Sequence, residues 1–340
     1  MSGSVATSET AASVPRVPFD WRPLALLPLL AAAALPLIES PTTWVTLTVA
    51  GLAMGMMIFV IASGLTLIFG LMDVLNFGHG AFIAVGAYVA MSVLAVMAPW
   101  LASDVTLVNL VALLAAALAA MVVTGALGVV FERIVIRPVY GNHLKQILIT
   151  MGGLIVAEQL IRVVWGADQK PMPLPPGLRG AVTFGDVAVE KFRLLAVGVG
   201  LVVFVAMTLV LNRTKIGLLI RAGVENGEMV EALGYRIRRL FVAVFVAGSA
   251  LAGLGGTLWA LYRETLTADI GGEVMVLVFI VIIVGGLGSI GGCFIGALMV
   301  ALTANYTGYL APKFALVSNI GLMVAILMWR PNGLWPVAKR

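Results

Sequence analysis

Residues 44–72 run 29 positions without one charged side chain. A stretch that long and apolar reads as a membrane span, because about 20 such residues cross the hydrocarbon layer as a helix. In lipid every backbone N–H and C=O has to be satisfied within the protein, which leaves helices and closed barrels. Barrel strands alternate polar and apolar residues over about ten positions, and this run does not alternate. The rest of the chain agrees. Of its 340 residues 61% are hydrophobic and 11% charged, where a soluble domain carries about a quarter charged. The expected fold is an all-α polytopic integral membrane protein of about 8–10 transmembrane helices, with glycine-broken segments.

Residues 1–22, rich in Ser, Ala and Thr, read as a disordered cytoplasmic tail. A single membrane domain then fills 23–336, and 337–340 form a short cytoplasmic C-terminal tail. The first apolar segment, 24–38, is weakened by Pro28 and Pro36. Further runs cover 44–72, 80–98, 105–130, 147–165, 194–211, 240–262, 274–284, 293–309 and 314–329. The connection 166–193 carries four prolines in PMPLPP and reads as a structured external loop. With the N-terminus inside and ten crossings, most of the 21 Lys and Arg fall in cytoplasmic loops, as the positive-inside rule requires. Both termini are then expected inside. The net charge of +5 reflects those loops rather than a nucleic-acid surface.

Several chemistries are excluded by what the sequence lacks. Cys293 is the single cysteine, so there is no internal disulfide and no thiolate metal site. His79 and His143 are the only histidines, too few for a His-based zinc site. No cofactor and no enzyme activity are expected. Gly-Lys occurs nowhere, so no Walker A loop is present, and any ATP hydrolysis belongs to another chain.

Three stretches and one charged pair carry functional interest. Residues 212–239 mix six cations with Glu225, Glu228 and Glu231, and Ile216, Leu219, Ile220, Val224, Met229, Leu233 and Ile237 recur at helical spacing. Gly223 and Gly227 weaken that helix and Gly234 is placed to stop it. The stretch reads as a cytoplasmic helix offered to a partner, or as an ordinary basic loop. In LMDVLNFGHGAF (71–82) the glycines permit a break at membrane depth, and Asn76 and His79 can bond freed backbone groups. Broken helices build translocation paths; the alternative is a tight turn with both side chains capping helix ends. GGLGSIGG (285–292) is a second break, either a hinge or a close-packing point. Glu158 and Arg162, spaced i,i+4, are expected to pair within one helix near the external interface.

Five of these motifs together resemble the membrane permeases of branched-chain amino acid ATP-binding cassette importers. NFGHG (76–80) is similar to their N-[FL]-[AS]-H-G segment, and RPVYGNHLKQILITMGGLIVAEQL to their basic loop and following span. RAGVENGEMVEALGY, GGLGSIGGCFIGA and RPNGLW follow in the family's order. The resemblance spans about residues 45–336 and is closer to the LivH-like than to the LivM-like subunit. Departures are Gly78 for Ala, Val230 for a small residue and Tyr235 for an aliphatic one; the last two lie on the coupling segment the resemblance implies and are expected to tune partner choice. The resemblance implies an inner-membrane permease paired with a LivM-like homologue, two ATPase subunits and a periplasmic binding protein. It implies a path past Asn76, Gly78, His79 and Gly80, and an ATPase-coupling segment with Arg221, Glu228, Met229, Glu231 and Gly234. Gly285, Gly286, Gly288 and Gly291 would serve as hinge or packing positions. The solute is expected to be a branched-chain amino acid or a similar small polar molecule; urea, short amides and organic acids are served by relatives. A self-sufficient secondary carrier and a channel are the competing readings.

Overall fold

The computed structural model describes residues 21–225 and 227–336. The two tails, 1–20 and 337–340, lie outside them. The chain runs α1 (Arg22–Ala34), α2 (Pro41–Met72), α3 (His79–Val96), α4 (Ala98–Leu101), α5 (Thr106–Phe131) and α6 (His143–Trp165). It continues β1 (Lys170–Pro171), β2 (Ala181–Phe184), β3 (Val187–Glu190), α7 (Lys191–Arg213), α8 (Lys215–Glu225) and α9 (Gly227–Ala232). The last elements are α10 (Ile237–Arg263), β4 (Thr265–Leu266), α11 (Ile270–Gly285), α12 (Ile290–Leu310) and α13 (Ala315–Trp329). All ten expected apolar segments are helical. Among the described residues seven helices (α2, α3, α5 with its extension to Val139, α6, α7, α10, α12) are long and apolar enough to cross a membrane. The apolar α1, α11 and α13 are shorter. At 1.5 Å per residue the 16 residues of α11 extend about 24 Å, less than the ~30 Å hydrocarbon layer. It is short because its first turn starts inside the bundle, where Ile270 and Gly271 are buried.

α2 and α10 cross at the centre. A Cβ on Gly64 would lie 2.4 Å from the Gly248 carbonyl oxygen, and one on Gly248 would lie 2.7 Å from that of Gly64. Two bare backbones therefore touch, and helices in lipid are held by this kind of van der Waals approach rather than by a hydrophobic drive. α2 lies along α12, and α10 along α5 with α3 beside both. Phe82 fills the junction, edge-on to Phe131 and Phe245 at 5.4 and 6.0 Å between ring centres.

The pattern of a long helix, a reversal and a second helix occurs twice. α2 ends at Asp73 (φ +51) and α10 at Glu264 (φ +53), the two non-glycine residues with left-handed backbone among those described. Seven residues after each stands a glycine in the first turn of the next helix, Gly80 in α3 and Gly271 in α11. Those turns meet. A Cβ on Gly271 would sit 2.1 Å from the Gly80 carbonyl oxygen, and one on Gly80 would sit 2.9 Å from that of Gly271.

The 166–193 connection is structured, as its prolines suggest. β2 and β3 form a hairpin, and β1 pairs with β4 within the second reversal. Met172 N–H also donates to the Glu264 carbonyl at 2.9 Å.

The chain closes on its own glycine-rich turn. The last carbonyls of α11 have no partner within the helix. Leu334 N–H donates to the Val284 carbonyl at 2.9 Å and Trp335 N–H to that of Gly285 at 3.0 Å. GGLGSIGG and RPNGLW are thus one substructure. A Cβ on Gly285 would meet the Gly292 carbonyl oxygen at 2.3 Å, while Gly286 (φ +101) and Gly288 (φ +79) hold left-handed backbone. Gly288 also presses on Gly70 of α2, whereas Gly291 sits at ordinary contact distance from the Trp335 ring, 3.6 Å. We expect Gly333→Val (φ +86, Cβ 2.4 Å from the Gly286 Cα) to cut the yield of monodisperse protein severalfold in size-exclusion chromatography. Gly321→Val on α13, with nothing within 4 Å, should leave that yield unchanged.

Candidate functional site

Residues 73–78 leave the helix, and their exposure alternates: Asp73, Leu75 and Phe77 are the more exposed, Val74, Asn76 and Gly78 are buried. Non-helical backbone inside a helical bundle leaves N–H groups to be satisfied. α6 supplies the partners from one face. Gln146 Oε1 accepts from Leu75 N–H at 3.2 Å and Thr150 Oγ1 from Phe77 N–H at 3.0 Å. One turn earlier, His143 Nε2 stands 3.6 Å from Asp73 Oδ2. Alternate residues of the segment thus meet successive turns of α6. Gly78 is required because a Cβ there would lie 2.7 Å from the Phe131 ring and 3.0 Å from Asn76 Oδ1.

The inward side chains are polar and incompletely paired. Asn76 and His79 are fully buried. His79 Nε2 lies 3.1 Å from the Ile61 carbonyl, so it is the protonated ring nitrogen and Nδ1 is a bare acceptor. That Nδ1 and both amide atoms of Asn76 have no hydrogen-bond partner. The capping alternative for these residues does not fit, since α3 has no side-chain cap. Asn76, Gly78, His79 and Gly80 are brought together at the start of α3, packed against α2, α5 and α11.

The second reversal, Glu264 to Asp269, was not visible in the sequence reading. The signal was available: an acidic residue followed seven positions later by a helix-opening glycine, as at Asp73 and Gly80. The ion pair expected between Glu158 and Arg162 does not form. Arg162 forms its ion pair with Asp269, at the N-terminus of α11 and 107 residues away. An acceptor on the neighbouring helix outcompetes the i−4 carboxylate.

Within the 212–239 stretch the described residues on either side of 226 are helical, α8 before it and α9 after it. α8 is strongly amphipathic and packs against α2, α7 and α10, while α9 touches α10. Ile220 and Val230 are buried, but Ile216, Leu218, Met229, Leu233 and Tyr235 are exposed. Val230 therefore packs into its own subunit and is not placed to tune partner choice, unlike Tyr235. The side chains of Arg221 and Glu228 lie outside the described residues. Gly234 stops α9 as expected: its φ is +88, its N–H donates to the Glu231 carbonyl at 2.9 Å and Tyr235 N–H donates to that of Val230 at 3.2 Å. That is a Schellman closure. Beside it Glu231, Arg238, Arg137, Tyr140 and Glu132 line a cavity of about 280 Å³. Burial, and then the neighbouring Glu132 carboxylate, push the Tyr140 phenol up, so it remains a donor toward Glu132.

Membrane-length helices, two reversals inside the bundle and orphaned polar groups at one of them define a multi-pass membrane transport protein. Comparison with known sequences narrows the class. The chain belongs to the family described as branched-chain amino acid transport system / permease component, whose family model matches residues 47–328. It is 28% identical over 291 residues to the high-affinity branched-chain amino acid transport system permease protein BraD of Pseudomonas aeruginosa, covering 84% of this chain and 93% of that one. It is 26% identical over 295 residues to LivH of Escherichia coli K12, covering 84% and 92%. Similarity to LivM of the same organism is 25% over 116 residues, covering 34% and 27%. No solved structure matches the chain.

Proposed function

We propose that this chain is the membrane-spanning permease subunit of an ATP-driven importer for branched-chain amino acids or similar small polar solutes. ATP is hydrolysed by two separate ATPase subunits, a second homologous permease completes the membrane pair, and a soluble binding protein delivers solute at the outer face. The observation that carries this is the α8–α9 segment. It offers Met229, Leu233 and Tyr235 to the surroundings from an otherwise charged stretch, and it rests on α2 and α10, the two helices that end in reversals. An apolar helix face rimmed by charge suits a groove on a partner. ATP-driven closure of the partner would move α8, tilt α2 and α10, and change how α3 and α11 meet. Asn76 and His79 are the groups that such a movement would expose to solute. Gly285, Gly286 and Gly288 serve as packing positions in this scheme, because the C-terminal segment stitches their turn shut. In this orientation both termini and the α8–α9 segment are cytoplasmic.

The test is purification of the tagged chain in mild detergent from its own host. A P-loop ATPase and a second permease in stoichiometric amounts are the expected result. A chain that elutes alone and moves solute in liposomes under an ion gradient would overturn the reading. The coupling role is tested separately. Met229→Asp with Glu231→Lys, both exposed, should reduce ATP-dependent uptake by about tenfold, the effect of ~1.4 kcal/mol at an interface, with the thermal unfolding of the chain unchanged. Unaltered uptake in that double variant would remove α8–α9 from the coupling path.

A further inference from the structure

In the orientation proposed above, the outer ends of the helices carry cations that the positive-inside rule disfavours there. They are Lys170, Arg179, Lys191 and Arg193 of the 166–193 connection, and Arg263 at the end of α10. Three of them line one cavity. Arg179, Arg193 and Arg263 surround a space of about 540 Å³, together with buried Leu178 and Phe192 and the Tyr262 ring. Arg193 is already engaged. It donates twice to Glu190, at 2.9 and 3.3 Å, and its guanidinium lies 5.8 Å from the centre of the Tyr262 ring. Glu264 is the other carboxylate in the lining, and its side chain has no hydrogen bond or ion pair. Neither do the guanidiniums of Arg179 and Arg263, and both residues are exposed. Three guanidiniums thus face two carboxylates, with two of the three free, which favours an anion. A guanidinium presents its donors as a fork that matches a phosphate group.

A second space indicates what kind of anion fits. A cleft of about 80 Å³ shares Glu190 and Arg193 with the cavity and runs beside Thr46, Val49 and Ala50 of α2 and Val189 of β3. Apart from Thr46 and the ion pair its lining is apolar. Both spaces stand at the ends of membrane-length helices. Thr46 and Arg193 lie in the first two turns of α2 and α7, and Tyr262 and Arg263 in the last turn of α10. That is the level of the lipid headgroups, where Tyr and Arg side chains reach both the apolar and the wet layer. Leu194, next to Arg193, is exposed, so the cationic mouth adjoins an open apolar surface of α7.

We propose that this cavity seats the headgroup of an anionic phospholipid, with Arg179 and Arg263 on the phosphate and the start of an acyl chain in the cleft along α2. A free phosphate, or an acidic side chain of a partner protein, would use the guanidiniums and leave the cleft unfilled. The site does not depend on the importer reading; the proposed orientation decides only the leaflet, which is the outer one.

The permease, with whichever subunits co-purify, is stripped of lipid in detergent and given phosphatidylglycerol or phosphatidylcholine. Native mass spectrometry counts the lipids retained. Basic residues elsewhere on the chain attract anionic lipid too, so the readout is a difference between variants. Arg179→Gln with Arg263→Gln should elute as the wild type does, since neither guanidinium has a partner to lose. It should retain one phosphatidylglycerol fewer, that lipid being bound about tenfold or more weakly once two cations are gone. Arg179→Lys with Arg263→Lys keeps the charge and should keep the lipid, which separates lost binding from lost folding. Inorganic phosphate and glycerol 3-phosphate should not displace it. Displacement by either would make this a small-anion site and overturn the lipid assignment. Equal retention of the two lipids by the wild type, or of phosphatidylglycerol by the wild type and the Gln pair, would also overturn it. A Gln pair that keeps its lipid yet loses uptake only when a binding protein delivers solute would give the arginines to an acidic protein partner instead.

Discussion

Gly271→Val should nearly abolish accumulation of folded protein. The added Cβ would lie 2.1 Å from the Gly80 carbonyl oxygen, and that oxygen belongs to helix backbone that cannot rotate away. Overpacking a well-fitted interior costs about 1–3 kcal/mol when side chains can adjust. Here α3 would have to shift as a body, carrying Asn76 and His79 with it, so the cost should exceed that range. Gly198→Val on α7, where nothing lies within 4 Å, is the matched control and should accumulate normally. Fluorescence-detected size-exclusion chromatography of the tagged variants reads both. Equal monodisperse peaks for the two would mean that the first turns of α3 and α11 do not meet as described.

His79→Leu should separate stability from transport. The wild-type residue leaves Nδ1 buried without a partner, and Asn76 leaves two more such atoms. Unsatisfied buried polar groups cost roughly 1–3 kcal/mol each, so an apolar replacement of similar reach should hold or raise the unfolding temperature. The single bond lost, from Nε2 to the Ile61 carbonyl, involves an oxygen already within a helix. Uptake by the assembled transporter should fall by about tenfold or more, because a group kept at that cost is retained for use in another state of the cycle. Asn76→Leu should behave alike. Wild-type uptake in both variants would return them to a structural role.

Much of this was legible in the sequence because it rests on local physics. Long uncharged runs are helices in lipid; Gly78 and Gly80 mark a reversal; Gly234 ends a helix as a left-handed residue must. What escaped is non-local. The Glu264–Asp269 reversal hid because its charges read as an ordinary loop, although its acidic residue and glycine keep the same seven-residue spacing as the first. Helical spacing pairs Arg162 with Glu158 because it shows only partners in the same helix, and Asp269 stands at the start of another. The family resemblance likewise sets Val230 beside Met229 on one coupling segment, where the fold buries the first and exposes the second. Nor does any single stretch reveal that RPNGLW caps the carbonyls of α11, since the donors and acceptors are 50 residues apart.

The most direct test of the central claim, a permease driven through α8–α9 by separate ATPases, is labelled leucine uptake into proteoliposomes. The co-purified complex with its binding protein is compared with this chain alone, each with and without ATP on the cytoplasmic side. Uptake that requires ATP, and is absent from the chain alone, is the predicted result. Uptake by the chain alone, driven by a proton or sodium gradient and indifferent to ATP, would contradict it.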